Sequence, residues 1–355
     1  MQRVSDTMAT DDFSENLDAP CKERQDLLYE LGKALGVDNV PAPFWACLQV
    51  CDPGQLKVIV DNARHAPWFV SSFAKHCSHQ IPELWLQAPQ QTDEDSASTD
   101  TDDVLFEQCC QESFSTESFR RDGGSCVFKR CEPMVIAHIY PNFNEKGPHA
   151  VTFWDSMSIL WSPEKLKLWK GLIFCEPKYP TRVTHACYNS ICISPEIYRM
   201  WRMGAFAIQP LEYNSKMTEL EVEWHWLPNQ EHSIYDSVPL NKCPLSSSGL
   251  NSIKSKSNNL ILLLVEFSSE DIRRVKTGDR FVLKTKDPEH LPLPNKDLLE
   301  LQFHLQRIVS MAGAAGVDRL SDSYHHHDIP TMSSLQASYV KQWLESCISA
   351  ENKYV

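Results

Sequence analysis

Residues 126–143 have the sequence CVFKRCEPMVIAHIYPNF, and this pattern predicts two short strands. Apolar and β-branched residues favour strands over 125–130 and 134–139. The Cys-Glu-Pro turn at 131–133 lies between them and predicts a hairpin. His138 falls at the end of the second strand, directly before a loop that contains proline. A histidine in this position is held rigidly at the protein surface.

A second informative stretch, YNSICISPEIYRMWRMGAFAI, occupies residues 188–208. Its Asn189 lies shortly before a Ser-Pro-Glu sequence at 194–196. A capping serine, a proline at the first helical position and an acid favoured by the helix dipole predict a helix over about 195–203. The same three residue types at 162–164 predict a helix over about 163–172.

The rest of the chain contains helical and strand patterns in comparable amounts, so the predicted fold class is α+β. Further helices are expected over about 23–35, 53–64, 68–77, 270–276, 297–312 and 333–348. Alternation of apolar with polar residues predicts a strand over 220–226, and further strands are expected over 259–267 and 280–285.

Composition shifts divide the chain into segments. A stretch rich in Asp, Ser and Thr, with no core-forming residues, predicts a linker that leaves the N-terminal helices as a separate unit. The expected segments are a disordered start at 1–20, a helical N-terminal region at 21–83, an acidic linker at 84–116, a core at 117–212, a β-rich extension with a helix of the same domain at 213–316, and a C-terminal loop and helix at 317–355.

The cysteine content and the missing export signal indicate an intracellular protein. The chain has a net charge of −13, 13 cysteines, no export signal and no apolar run long enough to span a membrane. We therefore expect a nuclear or cytoplasmic protein with reduced thiols, neither secreted nor membrane-associated. Residues 117–212 carry 12 basic and 9 acidic side chains, so any phosphate contact is expected there.

The ordered set of segments resembles fungal proteins with an HNH-nuclease domain. Their pattern is a C…AHI-P segment, an FW…W…W insert and an N-x-I-x-L-S-P-x-x-H segment. The matching residues here are Cys126, Ala137 to Pro141, Phe153, Trp154, Trp161, Trp169 and Asn189 to Tyr198. Downstream pieces such as GAFAIQPL and LEVEWHWLP extend the resemblance over about residues 118–316.

This resemblance implies a ββα-metal core with an inserted helix, a downstream mixed β-sheet and closing helices. It further implies an endonuclease that uses a divalent ion (Mg²⁺, Mn²⁺ or Zn²⁺) to cleave phosphodiester bonds. His138 would be the general base, and Asn189 would orient it or fix the local loop. The helical metal-ligand position carries Tyr198 where the family has histidine, and His185 is the candidate substitute ligand.

Two alternatives stay open at this point. The first is a catalytically inactive HNH-fold module that binds protein or nucleic acid, with Tyr198 marking a lost ligand. The second is a structural zinc domain, because two Cys-x4-Cys pairs flank the candidate site. These cysteines are Cys126, Cys131, Cys187 and Cys192.

Basic side chains around the core are the candidate contacts to nucleic acid, and they would bind phosphates without reading sequence. They are Arg120, Arg121, Lys129, Arg130, Arg199 and Arg202. The resemblance favours DNA over RNA as the partner, and the sequence identifies no protein partner.

Overall fold

The computed structural model describes residues 22–86, 115–141, 148–175, 183–256, 261–267 and 272–316. The expected disordered start, most of the acidic linker and the C-terminal loop and helix lie outside these ranges. Helices and small antiparallel sheets alternate along the chain, which confirms the α+β class. Among the described residues, no helix has both the length and the apolar character needed to cross a membrane.

The N-terminal region is helical, as its sequence predicts. It contains α1 (Lys22–Leu35), a short strand β1 (Asn39–Pro41), α2 (Ala42–Val50), α3 (Pro53–His65), α4 (Pro67–Ser72), a π-helical turn (Phe73–Cys77) and α5 (Gln80–Leu86). Every residue of α2 is buried. A helix that is apolar on all sides lies in the interior of a protein, so α2 forms the centre of this region.

The middle of the chain follows the predicted helix-start signals. Its elements are α6 (115–121), β2 (Val135–His138), α7 (Pro148–Leu160), α8 (Pro163–Ile173), a 3-10 turn (Cys187–Asn189), β3 (Ser190–Ile193) and α9 (Pro195–Arg202). Ser162 Oγ accepts a hydrogen bond from Lys165 N at 3.3 Å, and Ser194 Oγ accepts one from Ile197 N at 3.4 Å. Both serines therefore cap their helices as expected.

The predicted hairpin between 125–130 and 134–139 is wrong. Strand β2 pairs antiparallel with β3, more than fifty residues downstream, so that His138 lies opposite Ser190. Residues 125–130 instead form a turn, in which Arg130 N donates to Cys126 O at 2.8 Å and Arg130 has a φ of 53°. The ring of Phe128 packs on Trp224 and Phe281, so this apolar residue is used by the core.

The downstream part contains β4 (Phe206–Tyr213), β5 (Glu219–Trp226), β6 (Ser237–Pro239), β7 (Ile253–Lys254), β8 (Ile261–Leu262), β9 (Val265–Phe267), β10 (Ile272–Arg274), β11 (Arg280–Lys284) and α10 (Lys296–Met311). The largest sheet has the order β11-β5-β4. All strand pairs in the described ranges are antiparallel, so the expected mixed sheet is wrong in this respect.

The helix expected over 270–276 is also wrong, because β10 lies there and pairs with β9. The adjacent Val275 is fully buried, and its N–H donates to Leu264 O at 2.8 Å. Asp279 Oδ2 accepts from Arg273 Nη1 at 2.6 Å and from Lys276 N at 2.9 Å. The pairing of β10 with β9 and the Asp279 carboxylate together satisfy the backbone groups that a helix would have bonded internally.

The N-terminal helices do not form a separate unit. Strand β1 pairs with β6, and helix α2 packs along α10. The indole of Trp45 is fully buried, and its Nε1 donates to Lys242 O at 3.2 Å. One continuous apolar core contains residues from α2, the middle segment and α10. The acidic linker therefore connects two parts of the same folded body.

Two ion pairs at the start of α8 join the N-terminal region to the rest of the fold. Lys165 Nζ lies 3.1 Å from Asp52 Oδ1 and 3.3 Å from Glu300 Oε1. Asp52 Oδ2 also accepts a hydrogen bond from Ser162 N at 2.9 Å. Burial alone would raise the pKa of Glu300, but His304 and Lys165 outweigh it and lower this pKa to about 2. The ionised carboxylate is therefore the form that the fold stabilises.

We predict that Glu300→Gln lowers stability at pH 7 and removes part of the acid sensitivity. The folded-state pKa lies below the unfolded value, so the contribution of Glu300 is fully present above about pH 4.5 and is lost as the pH falls towards 2. Thermal unfolding measured from pH 7 to pH 2.5 would show converging curves for the two proteins. Glu212→Gln is the control, since its side chain is 84% exposed. Parallel curves for Glu300→Gln would contradict the prediction.

Candidate functional site

The candidate site lies where β2 ends beside the start of β3. These antiparallel strands and the following α9, which contacts β2, form a strand-strand-helix unit with α7 and α8 inserted between the strands. His138 is the last residue of β2, and Asn189 immediately precedes β3. The structure thus brings together two residues that are fifty positions apart and that the sequence had singled out.

Asn189 fixes the loop that follows β2. Its buried side chain accepts a hydrogen bond from Tyr140 N at 2.9 Å through Oδ1, and donates one to Tyr140 O at 3.1 Å through Nδ2. The backbone adds a third bond, from Ile139 N to Asn189 O at 2.9 Å. An asparagine amide matches a peptide group donor for acceptor, so it replaces a strand neighbour where the ladder ends. The residues directly after His138 are therefore held in place.

The His138 ring faces a second imidazole. His138 Nε2 and His185 Nδ1 are 3.2 Å apart, and both side chains are half-buried. Burial, and to a smaller degree the neighbouring His185, lower the pKa of His138 well below its usual range. A neutral imidazole has one nitrogen with a free lone pair. At neutral pH the His138 ring is therefore neutral, and one of the two facing nitrogens donates a hydrogen bond to the other.

The third expected group, Tyr198, lies on α9. Its ring packs against the core, and the Arg202 guanidinium lies 5.9 Å from the ring centroid. Within the described ranges, no group of three or more His, Cys, Asp and Glu side chains has the geometry of a metal site. Glu196 is mostly exposed and lies 3.5 Å from Lys129 Nζ. Within the described ranges, the two imidazoles are thus the potential ligands that the fold brings together here.

Aromatic side chains from the insert pack behind the Asn189-held loop. The Tyr140 ring stacks on Trp154 with centroids 5.9 Å apart, and Phe174 contacts both rings edge-on. Trp161 and Trp169 are buried further into the core, 5.7 Å from each other. As expected, these tryptophans pack helices against the core. The insert therefore packs against the core-facing side of the loop that follows His138.

Arg121 is a structural residue, and its assignment as a phosphate contact is wrong. Its side chain is completely buried and forms two hydrogen bonds with Asp122, at 2.7 and 2.8 Å. The guanidinium also donates to Cys187 O at 2.6 Å, to Ser190 O at 2.9 Å and to Pro292 O at 3.2 Å. A buried cation needs this number of acceptors. The carbonyls of Cys187 and Ser190 lie on either side of Asn189, so Arg121 clamps the segment that carries it.

Two neighbours complete this clamp. Asp122 Oδ2 accepts a hydrogen bond from Cys192 N at 3.0 Å, and Ser118 Oγ lies 2.6 Å from Ser190 Oγ. The sequence analysis missed all three of Ser118, Asp122 and Ser190. Asp122 belongs to an Arg-Asp-Gly-Gly sequence that is typical of an exposed turn. Because the bonded partners are about seventy residues away, no local pattern reports them.

The other basic candidates differ in their surroundings. Arg120 is exposed, and Arg130 is exposed with its Nη2 donating to Val282 O at 3.3 Å. Lys129 is paired with Glu196, while Arg199 and Arg202 are half-buried on α9. Helices α6 and α9 and the turn before β2 thus carry the basic side chains that remain accessible.

The four cysteines of the alternative zinc site do not form a group of metal ligands in the described part of the chain. Cys126 Sγ accepts from Lys129 N at 3.4 Å, Cys192 Sγ donates to Ser118 O at 3.5 Å, and Cys187 Sγ donates to Pro292 O at 3.6 Å. Burial raises the pKa of Cys126, Cys187 and Cys192. These three thiols are therefore protonated at neutral pH and pack inside the protein.

Comparison with protein-family models, with curated proteins and with solved structures finds no significant match to this chain. The functional argument therefore depends on the geometry of the site and on the sequence resemblance.

We predict that Arg121→Met lowers the free energy of unfolding by about 3–5 kcal/mol, because it leaves Asp122 buried without its counter-charge. Urea denaturation of the purified variant measures this loss. Arg120→Met is the matched control: the neighbouring side chain is exposed, and its replacement should change stability by less than about 0.5 kcal/mol. A loss below about 1 kcal/mol in Arg121→Met would contradict the role of the clamp.

Proposed function

We propose that this protein is an HNH-type, divalent-metal-dependent endonuclease that hydrolyses phosphodiester bonds in nucleic acid, with DNA favoured over RNA. The observation that carries the proposal is the strand-strand-helix unit in which His138 ends β2 and Asn189 holds the loop behind it. The resemblance implies a ββα core with an inserted helix, and the unit formed by β2, β3 and α9 supports the proposal although its strands are not the predicted hairpin.

In the proposed reaction His138 is the general base. Its lowered pKa keeps the ring neutral in the resting protein, and the proton of the attacking water would pass to this ring as the water oxygen bonds to phosphorus. The ester P–O bond breaks, and the leaving oxygen takes up a proton from solvent. Asn189 acts as a positioning residue, because its two bonds to Tyr140 fix the backbone next to the base.

The described side chains fit a divalent ion in part. They supply two nitrogen donors, His138 and His185, and Tyr198 replaces the histidine of the family pattern. When bound, the ion would stabilise the charge on the scissile phosphate and the leaving oxygen. Arg120, Lys129, Arg199 and Arg202 would contact the nucleic-acid backbone, which makes binding depend strongly on salt.

One observation favours a second candidate function. No third ligand joins the two imidazoles in the described part of the chain, and a neutral phenol such as Tyr198 is a poor ligand for Mg²⁺, Mn²⁺ or Zn²⁺. A catalytically inactive HNH-fold module that binds nucleic acid or protein is the corresponding alternative.

The proposal predicts nicking of supercoiled plasmid at low salt in the presence of Mg²⁺, Mn²⁺ or Zn²⁺. His138→Ala should reduce the rate by about 10²- to 10⁴-fold, the range that a positioned general base contributes. His290→Ala is the control, since that side chain is 74% exposed and pairs with Asp287. Nicking that is unchanged in His138→Ala would contradict the assignment of the base.

Tyr198→His separates the two candidate functions. If the wild type is silent and this variant nicks DNA, the protein is an inactive descendant that lost one ligand. If the wild type, His138→Ala and Tyr198→His are all silent with every ion, the binding module is the better account.

A further inference from the structure

We propose that Cys126 and Cys131 are a redox pair, which forms a reversible disulfide and closes the turn before β2. The oxidant is a small-molecule disulfide such as oxidised glutathione, which reacts by thiol–disulfide exchange. The inference goes beyond the proposed endonuclease and does not depend on it, because it concerns two thiols that take no part in phosphodiester hydrolysis.

A backbone hydrogen bond keeps the two cysteines close together. Cys126 N donates to Cys131 O at 3.1 Å. Residues that are hydrogen-bonded across an antiparallel pair have Cα atoms about 5.5 Å apart. A disulfide spans Cα separations of about 4.4–6.8 Å. The hydrogen bond therefore holds the two residues in the range that a disulfide requires.

The sulfur of Cys126 points back into the turn that Cys131 closes. Cys126 Sγ accepts a hydrogen bond from Lys129 N at 3.4 Å, and Arg130 N donates to Cys126 O at 2.8 Å. Burial, and to a smaller degree the nearby Cys131 thiol, raise the pKa of Cys126. Each side chain has a single torsion between Cα and Cβ, with three staggered positions. The two sulfurs can therefore meet by a change of rotamer, without refolding of the turn.

Contacts with the core hold the turn in this shape before any oxidation. The Phe128 ring packs on Trp224 and Phe281, and Val127 N donates to Cys192 O at 2.9 Å. These contacts do not involve either thiol of the pair, so they keep the thiols at a high effective concentration. The disulfide would close a loop of six residues, and so short a loop adds little loop-closure entropy. The turn is therefore formed in both redox states.

Exposure decides the order of the reaction. Cys126 is completely buried, whereas Cys131 is half-buried, so a small disulfide reaches Cys131 first. The Cys131 thiolate attacks one sulfur of oxidised glutathione, forms a mixed disulfide and releases one glutathione thiolate. Cys126 then gives its proton to solvent, attacks the Cys131 sulfur and releases the second glutathione thiolate. Two protein thiols thus lose two electrons and two protons, and the oxidant becomes two glutathione thiols.

The closed ring contains two basic side chains that remain accessible. Lys129 pairs with Glu196 on α9, and Arg130 Nη2 donates to Val282 O at the edge strand β11. Both residues lie between the two cysteines, so the disulfide restrains the backbone that carries them. Oxidation therefore acts on a charged turn at the protein surface, while the core contacts of Phe128 are kept.

The test is incubation of the folded, full-length chain with oxidised glutathione, followed by acid quenching, alkylation and tryptic mass mapping. Trypsin cleaves after Lys129 and Arg130, inside the loop, so residues 122–129 and 131–146 stay joined only through the disulfide. We expect this linked peptide, and its loss after treatment with dithiothreitol. Its ratio to the mixed disulfide of Cys131 should be at least about tenfold higher in the folded protein than in urea.

Two variants and one control test the order of the steps. In Cys126→Ala, Cys131 should stop at the mixed disulfide, and in Cys131→Ser the buried Cys126 should stay unmodified. Cys243→Ser is the control, since Cys243 is exposed, and it should leave the linked peptide unchanged. The wild-type comparison with urea stands even if Cys126→Ala proves unstable.

Three results would overturn the proposal. The first is a folded wild type in which Cys131 is found only as the mixed disulfide. The second is a folded wild type in which neither thiol of the pair reacts. The third is an equal ratio of linked peptide to mixed disulfide in the folded and the urea-unfolded protein.

Discussion

The buried ion pair between Arg121 and Asp122 is the constraint on which the site depends. A guanidinium carries five N–H donors and stays charged at any physiological pH, so burying it requires acceptors in fixed directions. The protein supplies the Asp122 carboxylate and the carbonyls of Cys187, Ser190 and Pro292. Moving the carbonyls would leave buried N–H donors of the guanidinium unsatisfied, and moving Asp122 would leave the charge without its partner. The hydrogen bonds that the buried Arg121 guanidinium requires therefore fix the path of the segment around Asn189.

Two sets of contacts connect the Arg121 clamp to the site. Ser190 lies opposite His138 in the β2-β3 pair, and Asn189 bonds both backbone groups of Tyr140. The Tyr140 ring is in turn packed between Trp154 and Trp85. His138 is thus held from the strand side by hydrogen bonds and from the loop side by aromatic packing, while His185 meets it from the preceding segment.

The sequence predicted the parts of this structure that local signals encode. Ser162 and Ser194 cap helices where serine, proline and glutamate follow one another, and the alternation in β5 gave its buried face. The predictions failed where the bonded or paired residue is far away in the sequence. Strand β2 is paired by a strand beyond the insert, and this pairing leaves no trace in the spacing of residues 125–139. Arg121 was assigned as a phosphate contact because it belongs to a cluster of basic residues around the core, whereas its burial depends on Asp122 and on carbonyls far along the chain.

Only part of the candidate site was predicted from the sequence. His138 and Asn189 were found through the order of motifs, whereas the contact between His138 and His185 depends on how the insert returns to β3. We infer that, because of the Arg121 clamp, the site unfolds only together with the whole fold. Native-state hydrogen exchange of the Tyr140 amide, which donates to Asn189, tests this claim directly. The account predicts exchange only through global unfolding, at the same rate as buried amides of α10. Exchange of the Tyr140 amide at a nearly unprotected rate, while α10 stays protected, would contradict it.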